Sequence, residues 1–336
     1  MSQFLKAYIK SMRLYYSFVT GIAGWLGVAF YQYITKLNAG ETIAQSTITR
    51  SIEVATPVEK QGVILLILFL SWGINQIFND YWGLAEDRLN APDRPMVTGV
   101  LDPNKALSLS ITLMFGAVLI TWFYLEPVAV IPLLAGAFLN WVYEHAKGYG
   151  ILANIVFGIM IAMCTIFGFY ASGPARVYFT KSRVSVLVLV GVINGLMTFF
   201  TYFKDYWGDR AVGKNTVIVK YGLRFSRIIG VFSSFLPSAL FLLFYYGFNS
   251  IEIELNKVFV ILGILTVFLQ IWTGYLYFRN PVGKMTYFSL AINFRACACG
   301  QAALVALFNS ELGMLLYIFA YIFVGFLFDF HSNVKG

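Results

Sequence analysis

Ten apolar segments, each long enough to cross a lipid bilayer, dominate this sequence. A helix needs about 20 predominantly apolar residues to span the hydrocarbon core. Charged residues make up only 12% of the chain, whereas a soluble domain carries about 25%. The sequence therefore predicts an all-α, polytopic helical bundle of nine to ten transmembrane helices, forming one integral-membrane domain over 1–336. The segments lie near 14–34, 62–82, 104–125, 127–146, 150–172, 184–207, 226–247, 257–278, 288–308 and 312–331.

The net charge of +8 follows from the predicted membrane topology. With both termini in the cytoplasm, most of the 24 Lys and Arg residues fall on the cytoplasmic side, as the positive-inside rule requires. We therefore expect an integral protein of a bacterial or archaeal inner membrane, with the lipid bilayer as its main partner. The basic excess is then not a nucleic-acid footprint, and nothing in the sequence indicates an oligomeric state.

The same acidic cluster follows an apolar segment twice. Asn79-Asp80-Tyr81-Trp82-Gly83 ends the second segment, and Asp205-Tyr206-Trp207-Gly208-Asp209 ends the sixth. Four crossings separate the clusters, so both face the cytoplasm and any internal repeat is parallel. The related halves would occupy about 10–147 and 148–280, with additional helices at 288–331. Carboxylates at the mouth of a membrane segment are costly unless they have a partner.

The spacing within the clusters predicts a metal site. Asp205 and Asp209 lie one helical turn apart on one face, and Asn79 and Asp87 share a face in the same way. Oxygen ligands suit Mg²⁺, which is usually bound together with phosphates. We expect Asn79, Asp80, Asp87, Asp205 and Asp209 to hold Mg²⁺, with the four aspartates as the catalytic residues. The competing interpretation is a set of interfacial salt bridges.

Basic residues surround these acids on the same side of the membrane. Such charges can bind phosphate oxygens and stabilise a departing diphosphate. The predicted diphosphate-binding set comprises Asn79, Arg88, Arg94, Lys147, Lys204 and Arg210.

These spaced motifs resemble the UbiA superfamily of intramembrane prenyltransferases. The resemblance rests on Asn79-Asp80…Asp87…Arg94-Pro95…Gly99, on Tyr143-Glu144-His145-Ala146-Lys147…Gly150…Asn154, and on Asp205-x-x-x-Asp209-Arg210…Gly213…Thr216…Gly222. It implies a helical barrel around a central cavity, in which two Asp-rich motifs bind a prenyl diphosphate through Mg²⁺. It further implies that the diphosphate ionises to an allylic cation, which usually attacks an aromatic or quinone precursor.

Two departures from the family pattern matter. The family usually has nine helices, so the segment at 312–331 would be a tenth, for which a packing role is expected. The family also usually has Asp at the position of Gly83. An Asn-x-x-x-Gly-x-x-x-Asp motif resembles instead the UbiA-type class I terpene cyclases. Aromatic residues, 18% of the chain, could line a cavity that stabilises a cation.

Three functions follow from these observations. The leading one is a Mg²⁺-dependent cyclase that ionises a farnesyl- or geranylgeranyl-length diphosphate and closes the cation to a terpene. The alternative is intermolecular transfer of the prenyl group to an aromatic or quinone-precursor acceptor. A third, from another class, is a transporter.

Overall fold

The protein is almost entirely helical. A computed structural model describes residues 3–45, 56–174, 180–283 and 285–333. Single turns of 3₁₀ and π helix at Leu14–Tyr16, Pro127–Ala129 and Leu243–Gly247 interrupt or join the α-helices. The α-helices are α1 (Gln3–Met12), α2 (Phe18–Gln45), α3 (Val58–Trp82), α4 (Leu84–Asn90), α5 (Pro103–Tyr124), α6 (Val130–Ala146), α7 (Leu152–Ala171), α8 (Lys181–Ala211), α9 (Val217–Ser233), α10 (Leu236–Leu242), α11 (Lys257–Arg279), α12 (Thr286–Phe308) and α13 (Ser310–Asn333).

The predicted all-α membrane fold is confirmed. In the described ranges, nine helices are long and apolar enough to cross a membrane. They correspond to nine of the ten predicted segments. The tenth, predicted near 14–34, forms α2, which is 28 residues long but is not among the nine. Tyr and Gln residues in its second half lower its hydropathy, although most of its first half is buried inside the bundle.

Helix α12 forms the centre of the bundle. It packs against α2, α8, α11 and α13, and 94% of its most apolar stretch is buried. Small side chains allow this close packing, because association of helices within a membrane depends on close approach of their backbones. The small residues lie in one run, Ala296, Ala298, Cys299, Gly300, Ala302 and Ala303.

Glycines set the closest helix crossings around α7. A Cβ atom at Gly168 would overlap the backbone of Gly24 on α2, and a Cβ at Gly158 would overlap the backbone of Gly191 on α8. Such contacts between small residues stabilise helix pairs in membranes. They hold α2, α7 and α8 together, and α8 carries the second acidic motif at its end.

The last helix, α13, packs against α12. Arg295 of α12 donates from Nε to the carbonyl oxygen of Tyr321, 3.0 Å away, and its guanidinium lies 5.0 Å from the centre of the Tyr321 ring. Gly325 leaves the space that the Arg295 side chain occupies. The intramembrane charge of Arg295 thus joins two helices, in keeping with the expected packing role of the additional helix.

Three connections meet at the end of the bundle that carries the motifs. They follow α3, α6 and α8. Backbone pairing joins two of them, because the amide of Gly150 donates to the carbonyl of Asn215 at 2.9 Å and Gly150 forms a parallel bridge with Thr216. Beyond this bridge α9 is interrupted at Gly222, whose φ of 76° lies in the left-handed region that favours glycine. The parallel relation of the two halves stays a prediction.

Candidate active site

Asp80 lies in the last turn of α3 and is only 1% exposed. Its Oδ1 accepts from Nη1 of Arg94 at 3.1 Å and also forms an ion pair with Arg13. Its Oδ2 is buried and has no hydrogen-bond partner in the described part of the chain. Asp80 is therefore neutralised through one oxygen, while the other is left for a further ligand.

Asp87 lies one helix further on. Gly83 separates α3 from the short α4, which carries Asp87 in its first turn. Asp87 is buried and pairs with Arg94. Burial raises the pKa of Asp87 above its ordinary value, although Arg94 acts in the opposite direction. Burial alone would lower the pKa of Arg94, but Asp80, Asp87 and Asp205 together raise it. Arg94 is thus held fully charged between the acids.

The second motif faces the first. Asp205 and Asp209 occupy consecutive turns at the end of α8, with Asp209 buried and Asp205 half-buried. Helix α4 packs against α8, and Asp205 lies close enough to Arg94 to raise its pKa. The two acidic motifs therefore lie at neighbouring helix ends, and a metal site shared by their carboxylates stays a prediction.

Lys214, just after α8, connects all three loops. It forms ion pairs with Glu86 of α4 and, at 3.4 Å, with Oε1 of Glu144 on α6. Glu144 also accepts from Lys147, with Nζ 2.6 Å from Oε2. Burial would lower the pKa of Lys147, but Glu144 overcomes this and raises it. The chain Glu86, Lys214, Glu144, Lys147 fixes the mouth of the site.

Aromatic side chains lie directly beneath this network. The Lys147 ammonium lies 5.0 Å from the centre of the buried Tyr143 ring. The hydroxyl of Tyr202 donates to that of Tyr143 at 3.3 Å, and Phe157 packs on Tyr143 with ring centres 5.3 Å apart. Ring faces at this position can stabilise a developing cation, by about 0.5–2 kcal/mol each.

The structure separates the predicted basic residues into two groups. Arg94 and Lys147 lie at the site, in contact with its carboxylates. Arg88, Lys204 and Arg210 are exposed, and Nη1 of Arg210 donates to the Tyr206 hydroxyl of its own helix at 3.3 Å. The role of these three residues in binding diphosphate stays a prediction.

Sequence reasoning missed several residues of the site. Arg13 adopts a left-handed backbone conformation with φ 47°, which is strained for a residue other than glycine. It reaches Asp80 and also Gln76, whose Oε1 lies 2.8 Å from its Nη1. The links from Lys214 to Glu86 and Glu144 were also not predicted. A signal for Lys214 was present, because it follows Asp209 closely, but the partner of Arg13 is 67 residues away.

The donor set fits Mg²⁺ when phosphate completes it. Among the described residues, no three His, Cys, Asp or Glu side chains lie close enough to form a metal site by themselves. Mg²⁺ is usually bound by one or two carboxylates together with substrate phosphates, so two separated carboxylate pairs are suitable. The buried oxygens Oδ1 of Asn79 and Oδ2 of Asp80 lack hydrogen-bond partners within the described ranges and could serve as ligands.

Comparison with known proteins identifies the family. Residues 55–294 match the UbiA prenyltransferase family. The chain belongs to this family. Membership favours an enzyme over a transporter and agrees with the resemblance seen in the motifs, but it does not distinguish the cyclase branch.

Two relatives and one solved structure are similar to this UbiA family member over most of its length. A digeranylgeranylglyceryl phosphate synthase of Methanosarcina mazei is 24% identical over 89% of this chain and 98% of its own. That of Thermococcus sibiricus is 28% identical over 68% and 74%, respectively. The structure of a UbiA homologue from Archaeoglobus fulgidus bound to DMAPP and Mg²⁺ matches 90% of this chain and 99% of that one, with a TM-score of 0.59 at 16% identity. This structural likeness shows the shared fold.

Proposed function

We propose that this UbiA family member is an intermolecular prenyltransferase. It takes a prenyl diphosphate as donor and a lipid that carries glyceryl phosphate as acceptor. The observation that carries the proposal is the clustering of both Asp motifs, Arg94 and Lys147 at one end of the bundle, next to a cavity that Asn79 of the first motif lines. The Archaeoglobus fulgidus homologue binds DMAPP and Mg²⁺, which supports the donor class.

The relatives support transfer over the cyclisation that the sequence favoured. Their name describes two geranylgeranyl groups on one glyceryl phosphate, which is an outcome of intermolecular transfer. Gly83, the main sequence indication of a cyclase, also has a local reason to be glycine. A Cβ there would lie 2.8 Å from the carbonyl oxygen of Asn79, so the tight junction between α3 and α4 explains it without reference to the reaction.

Separate groups of residues would bind the metal, bind the diphosphate and stabilise the developing cation. Asn79, Asp80, Asp87, Asp205 and Asp209 would hold Mg²⁺, which supplies positive charge that makes the diphosphate a better leaving group. Arg94 and Lys147 bind phosphate oxygens through charge-assisted hydrogen bonds. The ring of Phe157, which lines the cavity and packs on Tyr143, would stabilise charge that develops on the prenyl carbon. The acceptor hydroxyl then attacks that carbon, and its proton leaves to the released diphosphate.

A product assay tests this function. Purified protein with Mg²⁺ and geranylgeranyl diphosphate is expected to release diphosphate at a substantial rate only when geranylgeranylglyceryl phosphate is added, with a second prenyl ether as the product. Mass spectrometry of the lipid extract measures it. A hydrocarbon or terpene alcohol formed from the diphosphate alone would establish cyclisation instead. Transfer to 4-hydroxybenzoate in preference to the lipid would show that the acceptor is an aromatic compound and not a glyceryl phosphate lipid.

We also propose that the mouth of the site opens to the cytoplasm, because most Lys and Arg residues then lie inside. In a variant lacking the native cysteines, Asp93→Cys on the motif side should react with a membrane-impermeant maleimide only after cells are permeabilised. Glu59→Cys, in the first turn of α3 at the opposite end, serves as the matched control and should react in intact cells. The reverse pattern would invert the topology.

A further inference from the structure

A cavity lies between α3, α5, α6 and α7, and Asn79 of the first acidic motif is among the residues that line it. Most of its lining is apolar, as expected for a space that receives a prenyl chain. One side is polar, however. Ser71, Asn75 and Asn79 of α3 recur every four residues, so they share a face, and all three line the cavity together with Gln76 of α3 and Asn140 of α6.

These polar groups lack partners among the described residues. Both side-chain atoms of Asn140, which is 1% exposed, are without a hydrogen bond, as are Oγ of Ser71 and Oδ1 of Asn75. Oδ1 of Asn79 also lacks one, but it is assigned above to the metal site. The great majority of buried polar groups in proteins are hydrogen-bonded. Within a bilayer the surrounding lipid cannot supply the missing partners. Several orphaned groups on one cavity wall therefore indicate a ligand that carries hydrogen-bonding atoms.

The wall also defines what kind of ligand it can bind. A prenyl chain is a hydrocarbon and would leave every one of these groups unsatisfied. Among the described residues that line the cavity, none is charged. An ionised carboxylate or phosphate would therefore lose its hydration there without a compensating partner. Donors and acceptors are both offered, since an amide supplies two N–H groups and one carbonyl. Hydroxyl, ether and carbonyl oxygens satisfy all of these conditions.

We propose that this polar wall, formed by Ser71, Asn75 and Asn140, is the subsite for the neutral oxygens of the acceptor. It deepens the proposed function and rests on it. Along α3, Asn75 lies about 6 Å and Ser71 about 12 Å from Asn79 of the metal site, at 1.5 Å per residue. An acceptor held there has its nucleophilic oxygen close to the diphosphate and its neutral oxygens deeper in the membrane, while any phosphate stays at the basic mouth.

Asn140→Leu tests the proposal, because leucine has a similar size and no hydrogen-bonding atoms. Binding is measured by calorimetry in detergent, with Mg²⁺ and geranylgeranyl thiodiphosphate present. The acceptor probes are geranylgeranylglyceryl phosphate and a naphthohydroquinone, which distinguish a glycerol ether from a quinol. The dissociation constant for the favoured probe is expected to rise about tenfold, corresponding to one lost hydrogen bond. Binding of the thiodiphosphate alone should change less than about twofold.

Met160→Leu, on an apolar part of the same cavity, is the matched control and should alter neither constant appreciably. Thermal stability gives an independent readout, since removing an unsatisfied amide should not lower it. If Asn140→Leu raises stability and leaves binding of both acceptor probes unchanged, the wall holds only water and the proposal is overturned. An equal loss of thiodiphosphate binding would assign the wall to the donor and also overturn it. Binding that depends on Asn140 without transfer to any acceptor would refute the proposed function but retain the subsite.

Discussion

Asp209→Asn is expected to lower the rate of diphosphate release by about a hundred- to a thousandfold, the usual effect of removing a group that stabilises developing charge. Asp209 is buried one turn from Asp205 at the end of α8. The asparagine keeps the size of the side chain and removes the charge that would hold Mg²⁺. The protein should remain folded, because the change brings no new volume and no new charge into the bundle. Single-turnover release of diphosphate, measured over a range of Mg²⁺ concentrations, checks the prediction.

Asp93→Asn provides the matched control for this substitution. Asp93 is exposed on the loop that follows α4, and its replacement should leave the rate within about twofold of the wild type, as is usual for surface changes. If Asp209→Asn retains more than about a tenth of the wild-type rate with unchanged Mg²⁺ dependence, Asp209 is not part of the metal site. An equal loss in Asp93→Asn would point instead to a general effect of loop charge.

The membrane fold could be predicted from sequence because the signal is local. An apolar run of sufficient length specifies a spanning helix whatever it packs against, and nine of the ten predicted segments meet that criterion in the structure. The position of α12 at the centre could not be predicted in this way. Its hydropathy resembles that of helices facing lipid, and only its many small residues distinguish it.

The positions of the acidic motif residues follow from the sequence better than those of the basic residues around them. Two copies of one acidic cluster at helix ends are visible in the sequence, and the even number of crossings between them places both on the same side of the membrane. Their proximity comes from the packing of α4 against α8. The ion pairs between basic and acidic side chains at the site depend on tertiary structure and cannot be deduced from the sequence. Arg13 reaches Asp80 from the turn between α1 and α2, and Lys214 joins Glu86 of α4 to Glu144 of α6. Basic residues near the motifs in sequence, such as Lys204 and Arg210, are exposed.

Part of the polar wall of the cavity is visible as a pattern in the sequence. Ser71, Asn75 and Asn79 repeat at helical spacing within a membrane segment, where polar residues are rare and usually functional. Asn140 has no such pattern around it, and only the packing of α6 against α7 and α3 places it at the cavity. Polar periodicity within an apolar run is therefore an indicator of a site, but its partners on other helices must come from the structure.

Gly83→Asp, which would restore the usual acidic residue of the family, is expected to lower activity by about a hundredfold, the loss that a displacement of about 1 Å in a site can cause. A Cβ at this position would lie 2.8 Å from the carbonyl oxygen of Asn79, in the direction of Glu144, whose Oε1 is 3.9 Å away. The backbone must shift where Asn79 and Asp80 are joined to Asp87. The new carboxylate would also repel Glu144 and compete with it for Lys147 and Lys214.

Gly83→Ala separates these two effects, because alanine introduces the Cβ without the charge. We expect a loss of about tenfold for alanine, since an overpacked junction typically costs about 1–3 kcal/mol and alanine brings no charge near Glu144. The Lys147 ion pair with Glu144 should persist in this variant. Steady-state transfer of the geranylgeranyl group, with the KM of the diphosphate measured separately, distinguishes a disturbed mouth from a loss of substrate affinity. Activity in Gly83→Asp equal to that of Gly83→Ala would show that only space matters at this junction. Activity above the wild type would mean that the added carboxylate completes the metal site, and that the mouth tolerates an acid beside Glu144.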